Sequence, residues 1–568
     1  MRSIATAIWM SLFVALTTFG CRSPEPVEPT TPASIGLPEG ALEAANQITE
    51  GVLKAPIVVL SDDLMKGRAA SSDGDRLARS YLANQLDELG YSPGSEDGGW
   101  EQRFDIVGIT SSEPPEWTFE KGGQEESFKH WDEYVATSGV QEDSAEVRDA
   151  EVVFVGYGIQ APEYNWDDFK GEDLSGKVLL MLNNDPDWSP DLFEGTKRLY
   201  YGRWTYKYES AARQGAAGAI IIHTDASAGY PYQVVQTGWT GEQFELPAEG
   251  EPRVQITGWL TEDAARRLVS LAGKNLDHLI ESAHNANFHP VPLGITTSIT
   301  LTNLIHRVST ANVLGVLEGS DPDLSNEAVV FTAHHDHLGV GKPDSTGDDI
   351  YNGARDNASG CAQVLAIARA FVALPERPRR STLILFVGAE ESGLLGSKYY
   401  ASHPTFAPGR IAADINFDSA NIWGRTHDLT LIGMGKSTLD SVAINVAKLQ
   451  GRVIEPDHFP DRGHYYRSDQ FSFARIGVPA LYFEAGTDFI GRPEGWGEKQ
   501  INDFTDLRYH QPGDELDSTW NFEGMVEDTR LGFLAGLIIA NEDELPSWTP
   551  GDEFEAARKA AVRVAHDD

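Results

Sequence analysis

At 568 residues the chain is too long for one compact core and predicts two domains or more. Its 41% apolar content, with 13 Trp and 24 Phe, is ample for well-packed interiors. A formal charge of −41 speaks against a nucleic-acid-binding surface, which must be basic, and against electrostatic docking on anionic lipid.

Arg2 precedes an apolar stretch, Ile4 to Phe19, that ends in Gly20 and Cys21. A basic start, an apolar centre and a small residue at the cut are the pattern of a secretory signal, here residues 1–20. The stretch is short for a membrane span. Gly20-Cys21 resembles the lipobox of bacterial lipoproteins, although Thr18 stands where that motif usually has Leu and Phe19 is bulkier than its usual neighbour. The expectation is a protein exported from a bacterial cell and lipid-anchored through Cys21 in the envelope, in periplasm or at the surface, with plain secretion as the alternative. Residues 21–39 read as a Pro-rich polar tether.

From Ala41 the pattern turns helical; Leu77, Tyr81, Leu82, Leu86 and Leu89 recur at helical spacing until Gly90, and Trp100 to Val107 reads as a strand. Residues 115–300, with a core at about 150–272, read as a smaller β-rich insert. It holds strands at Val152–Val155, Lys177–Leu182 and Ala219–Ile222, and a small-residue helix over Tyr208–Gly218. Gly156-Tyr157-Gly158 lacks the third Gly of a dinucleotide fingerprint.

Residues 40–114 and 301–545 together form the main domain. From Asn312 onward strands and helices alternate: strand Glu327–Ala333, helix 358–374, strand Thr382–Val387, helix 393–401, strand Ile411–Phe417. This pattern predicts an α/β fold, a mostly parallel central sheet with helices on both faces. Gly433-Met434-Gly435-Lys436-Ser437 ends like a phosphate loop, but Thr430 stands where its first Gly is required. Residues 546–568 read as a helical tail. Cys361, the one cysteine besides Cys21, falls in the helix after Asp356 and reads as a small core residue.

Chemistry-bearing residues gather where these strands end. His334-His335-Asp336-His337 closes the first strand, Asp356 opens the following helix, and Glu390-Glu391 follow Val387-Gly388-Ala389. Asp418 follows Asn416-Phe417, and His510 stands in Tyr509-His510-Gln511-Pro512. A sheet of this class gathers such residues along one edge. Two carboxylates about 4 Å apart at an effective dielectric near 20 repel by roughly 4 kcal/mol, so the cluster needs cations or protons. His334, Asp356, Glu391, Asp418 and His510 make a mixed nitrogen and oxygen set suited to zinc. Glu390 remains free to act as a base.

These motifs resemble the co-catalytic di-zinc aminopeptidases of metallopeptidase family twenty-eight, which also contains glutamate carboxypeptidase and the transferrin receptor. The likeness rests on His334 to Gly339, Ala354 to Gly360, Gly388 to Gly393, Asn416-Phe417-Asp418 and Tyr509 to Pro512. It implies the zinc exopeptidase fold and two Zn2+ ions, with Asp356 bridging, His334 and Asp418 on one metal, and Glu391 and His510 on the other. It further implies that Asp336 orients His334, that Glu390 acts as general base then acid, and that Asp356-Asn357 is a cis peptide. Tyr509 is the donor expected to face the developing negative charge. The insert resembles a protease-associated (PA) domain. His335 stands where the motif commonly has Tyr and receives no role; His337 receives none either. His464 reads as a loop or pocket residue, and Gln470 replaces a His often found there.

The resemblance implies a zinc exopeptidase acting on peptides, foremost an aminopeptidase releasing N-terminal residues. A carboxypeptidase of acidic dipeptides or a glutaminyl cyclase-like transferase is the alternative within enzymes, and a non-catalytic binding protein on the same scaffold the alternative outside them. The segment 487–508, with Trp496, Arg492 and Lys499, is expected to frame the pocket.

Overall fold

A computed structural model describes residues 36–190, 192–228 and 230–567. The apolar leader, Cys21 and most of the tether lie outside the described residues. Residues Glu39–Asp568 pack as one unit.

The strands at the centre are Ala328–His334, Ser381–Val387 and Ile411–Asn416, and every residue in them is buried. Continuous apolar runs of this kind belong to parallel strands covered on both faces. Ser381–Val387, Ala328–His334, Ile411–Asn416 and Ala480–Ala485 lie side by side in parallel in that order. Antiparallel neighbours flank them: Val291–Leu317 on one side, and Asp428–Ile432 on the other, itself paired in parallel with Val453–Pro456. The expected mainly parallel α/β sheet is therefore present.

Alternation along a strand sends successive side chains to opposite faces. Phe331 meets Phe371, which meets Phe533, placing helices Ser359–Val372 and Glu523–Asn541 on one face. Val330 clusters with Tyr400 and Phe473, placing helices Leu395–Ser402 and Gln470–Arg475 on the other. Cys361 is fully buried, as expected, and its thiol donates to the His334 carbonyl at 3.2 Å; burial pushes the thiol up to about 12.

In the segment 115–300, strands Ser144–Phe154, Val178–Leu182, Gly218–His223 and Ile256–Thr261 pair in parallel in that order. The helix expected over Tyr208–Gly218 instead spans Trp204–Arg213. Gly215, at φ 70°, turns the chain before Ala216 and Ala217 can extend the helix, and the strand begins at Gly218. Leu77 lies 45% exposed, so the inward face of helix Asp73–Leu89 is carried by Ala78, Leu82 and Leu86.

The strand Val291–Leu317 is 27 residues long. Its first half pairs with Ser144–Phe154, its middle with Glu101–Ser112, and its end with Ser381–Val387. The boundary expected between residues 300 and 301 falls inside this continuous strand. The helical tail contains Glu555–Asp567, which packs against the turn Pro408–Arg410.

Candidate metal centre

The predicted metal-ligating and catalytic residues converge at the carboxyl ends of the parallel strands, the edge where chemistry collects in open α/β sheets, and Cys21 lies outside the described residues. His334 is fully buried; its Nδ1 donates to the Asp336 carbonyl at 3.2 Å, which leaves Nε2 facing the cluster. That Nε2 lies 3.1 Å from Asp356 Oδ1, 3.5 Å from Asp418 Oδ1 and 4.0 Å from Glu390 Oε2. On the other side His510 Nε2 lies 3.0 Å from Glu391 Oε2 and 3.4 Å from Asp356 Oδ2. Asp356 thus turns one oxygen to each histidine.

The turns that present these groups are held in unusual backbone conformations. Ala389 before Glu390, Ser419 after Asp418, and His510 itself have φ of 56°, 63° and 58°. Each costs of order 1–3 kcal/mol and persists only where surroundings enforce it. The enforcing bonds are visible. The Asp336 carboxylate accepts from the backbone N–H of Glu390 at 3.1 Å and of Glu391 at 3.4 Å. Asp514 accepts from the backbone N–H of Arg355 and Asp356, both at 3.0 Å. Asn357, after the cis Asp356-Asn357 peptide, donates to the Phe417 carbonyl at 2.9 Å and accepts from the Ser419 N–H at 3.2 Å. Ser468 donates to Asp418 Oδ2 at 2.7 Å.

Asp336 differs from its expected role. Its carboxylate is 3.9 Å from His334 Nδ1, beyond a hydrogen bond, because it is taken up by the Glu390-Glu391 turn; the histidine is oriented by the Asp336 backbone carbonyl instead. The segment 487–508 also departs from expectation. Part of it forms the helix Trp496–Leu507, whose Phe504 stacks under the Arg355 guanidinium, and the cleft beside the cluster is lined by other segments. Tyr509 stacks on the His510 ring with centroids 3.9 Å apart. His464 lies 3.6 Å from Glu484 Oε1 and outside the cluster.

Two histidines without an assigned role are placed by the fold. His335 Nε2 contacts Asp75 Oδ1 at 2.9 Å, and Asp75 also binds Arg79 and Thr310, locking the strand end to helix Asp73–Leu89. His337 Nδ1 lies 2.6 Å from Glu391 Oε1. His337, Asp356 and Glu391 form one of the groups able to hold a metal ion, beside His334 with Asp356 and Asp418. The His-x-x-His spacing of His334 and His337 was the available sign; the missing information was where the loop after the strand turns.

The electrostatics ask for positive charge. Burial works to raise the Asp356 carboxyl, but His334 and His510 outweigh it and hold the group well below its ordinary range. Burial likewise opposes Glu391, which His510 and His337 bring down to about 2. Burial raises Glu390 well above the usual value; His334 opposes this, while Glu391, Asp469 and Asp418 add to it. Both His334 and His510 are lifted well above normal against their burial, chiefly by Glu390 and by Glu391 respectively. His510 Nε2, though close to two carboxylates, is buried without a hydrogen bond, as is His337 Nε2. Buried ring nitrogens left unbonded beside converging carboxylates are suited to a divalent cation, and the donor set of nitrogen and oxygen fits zinc.

Residues 312–533 match peptidase family M28. The chain is 28% identical over 247 residues to a probable leucine aminopeptidase 2 of Aspergillus oryzae, covering 41% of this chain and 45% of that protein. It is 26% identical over 389 residues to a probable leucine aminopeptidase 2 of Aspergillus fumigatus, covering 65% of this chain and 67% of that one. The chain thus spans from about half to two thirds of the length of these curated relatives. Among solved structures, an aminopeptidase from Aneurinibacillus sp. strain AM-1 is similar with a TM-score of 0.52 at 22% identity, covering 89% of this chain and 97% of that chain, a likeness of fold. His334, Asp356, Glu391, Asp418 and His510 all lie within residues 312–533, the part of the chain that matches peptidase family M28.

Proposed function

We propose that the protein is a zinc-dependent aminopeptidase that holds two zinc ions and releases N-terminal residues from peptides. The observation that carries this is the two-sided arrangement about Asp356. One oxygen faces His334, which Asp418 also approaches; the other faces His510, which Glu391 approaches. The described relatives are aminopeptidases by name, which supports cleavage next to a free amino terminus.

When bound, the zinc ions supply Lewis acidity towards the scissile carbonyl and make an attacking water more acidic. Glu390, fixed through its backbone by Asp336, accepts the proton of that water and passes it to the leaving amine. Tyr509, kept beside the cluster by its stack on His510, offers its hydroxyl to the carbonyl oxygen as charge develops.

The expected result is two zinc ions per chain by elemental analysis, hydrolysis of leucine arylamide, and no hydrolysis of the same substrate blocked at its amine. Fewer than two zincs together with inert arylamide would remove this reading. Preference for an acidic dipeptide cut from its carboxyl end would replace it with the carboxypeptidase alternative.

The segment 115–300 belongs to this proposal as a PA-like insert, supported by the parallel run of its strands Ser144–Phe154, Val178–Leu182, Gly218–His223 and Ile256–Thr261. Export and acylation at Cys21 are supported by the leader pattern. Palmitate labelling in a bacterial host tests them: label in the native chain and none in Cys21→Ala is expected, and equal labelling of both contradicts the anchor.

A further inference from the structure

The segment that carries Asp356 also grips the turn after Asp418, holding all four main-chain polar groups of Ser419 and Ala420. The backbone N–H of Ser419 donates to Asn357 Oδ1 at 3.2 Å, and that of Ala420 to Ser359 Oγ at 3.0 Å. Their two carbonyls meet a single side chain. Arg355 Nη2 donates to the Ser419 carbonyl at 3.1 Å and Arg355 Nε to the Ala420 carbonyl at 3.0 Å. Among the described residues no other donor reaches either carbonyl. The grip matters because Ser419 is left-handed, a conformation that costs of order 1–3 kcal/mol and persists only under restraint. Asp418 is the residue just before it, so any relaxation of Ser419 re-aims the carboxylate that lies 3.5 Å from His334 Nε2.

The guanidinium is itself anchored. Its central carbon lies 5.0 Å from the Trp423 ring centroid and 4.5 Å from that of Phe504. Trp423 belongs to the same loop as Ser419 and Ala420, while Phe504 lies on helix Trp496–Leu507 and its carbonyl accepts the Tyr509 N–H at 2.9 Å. The main chain of Arg355 is fixed as well: its N–H donates to Asp514 Oδ1 at 3.0 Å, and its carbonyl accepts from Ser359 Oγ at 2.6 Å. A planar fork suits this place, since two coplanar N–H groups meet two successive carbonyls while the flat faces pack on rings. Lysine has neither the second coplanar donor nor the flat face. Neither side-chain hydrogen bond of Arg355 goes to a ligand atom, so it acts on Asp418 through the main chain.

We propose that Arg355 is a positioning residue for the metal site of His334 and Asp418: by fixing the carbonyls of Ser419 and Ala420 it aims the Asp418 carboxylate so that it shares an ion with His334. The assignment rests on the two-zinc reading. Loss of a group that orients a ligand costs about 10–100-fold in metal affinity. The Glu391 turn on the other side is held separately, by Asp336 through the Glu391 N–H at 3.4 Å. Removing the Arg355 fork therefore separates the two zinc affinities instead of lowering them together.

The test titrates the zinc-free full chain with zinc against a chromophoric chelator, which resolves the affinities without any substrate. The unaltered protein takes up two zincs; Arg355→Gln weakens one of them by about ten-fold or more and leaves the other in place. Arg355→Lys, which keeps the charge and one donor, falls between the two. Asp418→Asn weakens the same zinc, and adding Arg355→Gln to it brings little further loss, because both changes act on one carboxylate. Equal weakening of both zincs, with a lower denaturant midpoint for the zinc-free protein, marks a merely structural residue and overturns the assignment. Losses that simply multiply in the double variant do the same. If Arg355→Gln does not fold, Arg355→Lys decides by the same comparison. A single zinc in the unaltered protein removes the two-zinc reading and this inference with it; two zincs that Arg355→Gln leaves unchanged remove this inference alone.

Discussion

Glu390→Gln lowers kcat by about 10³-fold while the protein retains its full zinc content and KM changes little. The substitution keeps the shape of the side chain and the backbone N–H that Asp336 accepts, and removes only the ability to take a proton. The zinc measurement is decisive because geometry allows a second role: Glu390 also groups with His334 and Glu391 as possible ligands. A ligand lost to Gln lowers zinc affinity together with activity, whereas a base lost to Gln leaves the metal in place. A variant with normal zinc and undiminished hydrolysis would remove Glu390 from the mechanism.

Arg68→Ala destabilises the fold by about 3–5 kcal/mol, since each buried carbonyl left without a donor costs about 1–3 kcal/mol. Arg68 is fully buried and its guanidinium donates to the carbonyls of Leu60, His335 at 2.8 Å, Asn352 at 2.7 Å and Gly353 at 3.0 Å. Alanine leaves the Leu60, His335 and Asn352 carbonyls without this donor in a space closed to water, while the Gly353 carbonyl keeps the Ala358 N–H at 3.1 Å. Two of them, Asn352 and Gly353, lie just before Asp356, and His335 follows His334, so zinc affinity falls as well. A denaturant midpoint and a zinc titration check the two effects, and a midpoint within about 1 kcal/mol of the unaltered protein would contradict the account.

The converging residues were legible because they depend on local rules. Apolar runs fix the strands, and His334, Glu390-Glu391 and Asp418 each follow one within a few positions. Chain order and right-handed crossovers then bring those ends to one edge. The supports were not legible. Asp75 meets His335 across 260 residues, and Asp514 meets Asp356 across 158, so no spacing rule connects them. Asp336 looked like an orienting partner from its two-residue spacing to His334. Its carboxylate went to the Glu390-Glu391 turn because a left-handed Ala389 points both N–H groups at it. The insert helix was misplaced by the same blindness to backbone geometry, since Ala216 and Ala217 favour a helix that Gly215 has already ended.

The long strand Val291–Leu317 makes the two walls of the cleft parts of one beam. Near one end it is bonded to the insert strand Ser144–Phe154 through Val291↔Phe154, and near the other to the peptidase strand Ser381–Val387 through Val313↔Phe386. Phe386 lies four residues before Glu390 on the same strand-to-turn path. The strand thus joins the insert to the strand that carries the acid pair without an intervening loop, and its register shifts between Pro292 and Thr296 and between Thr297 and Ile299 place its irregularities on the insert side.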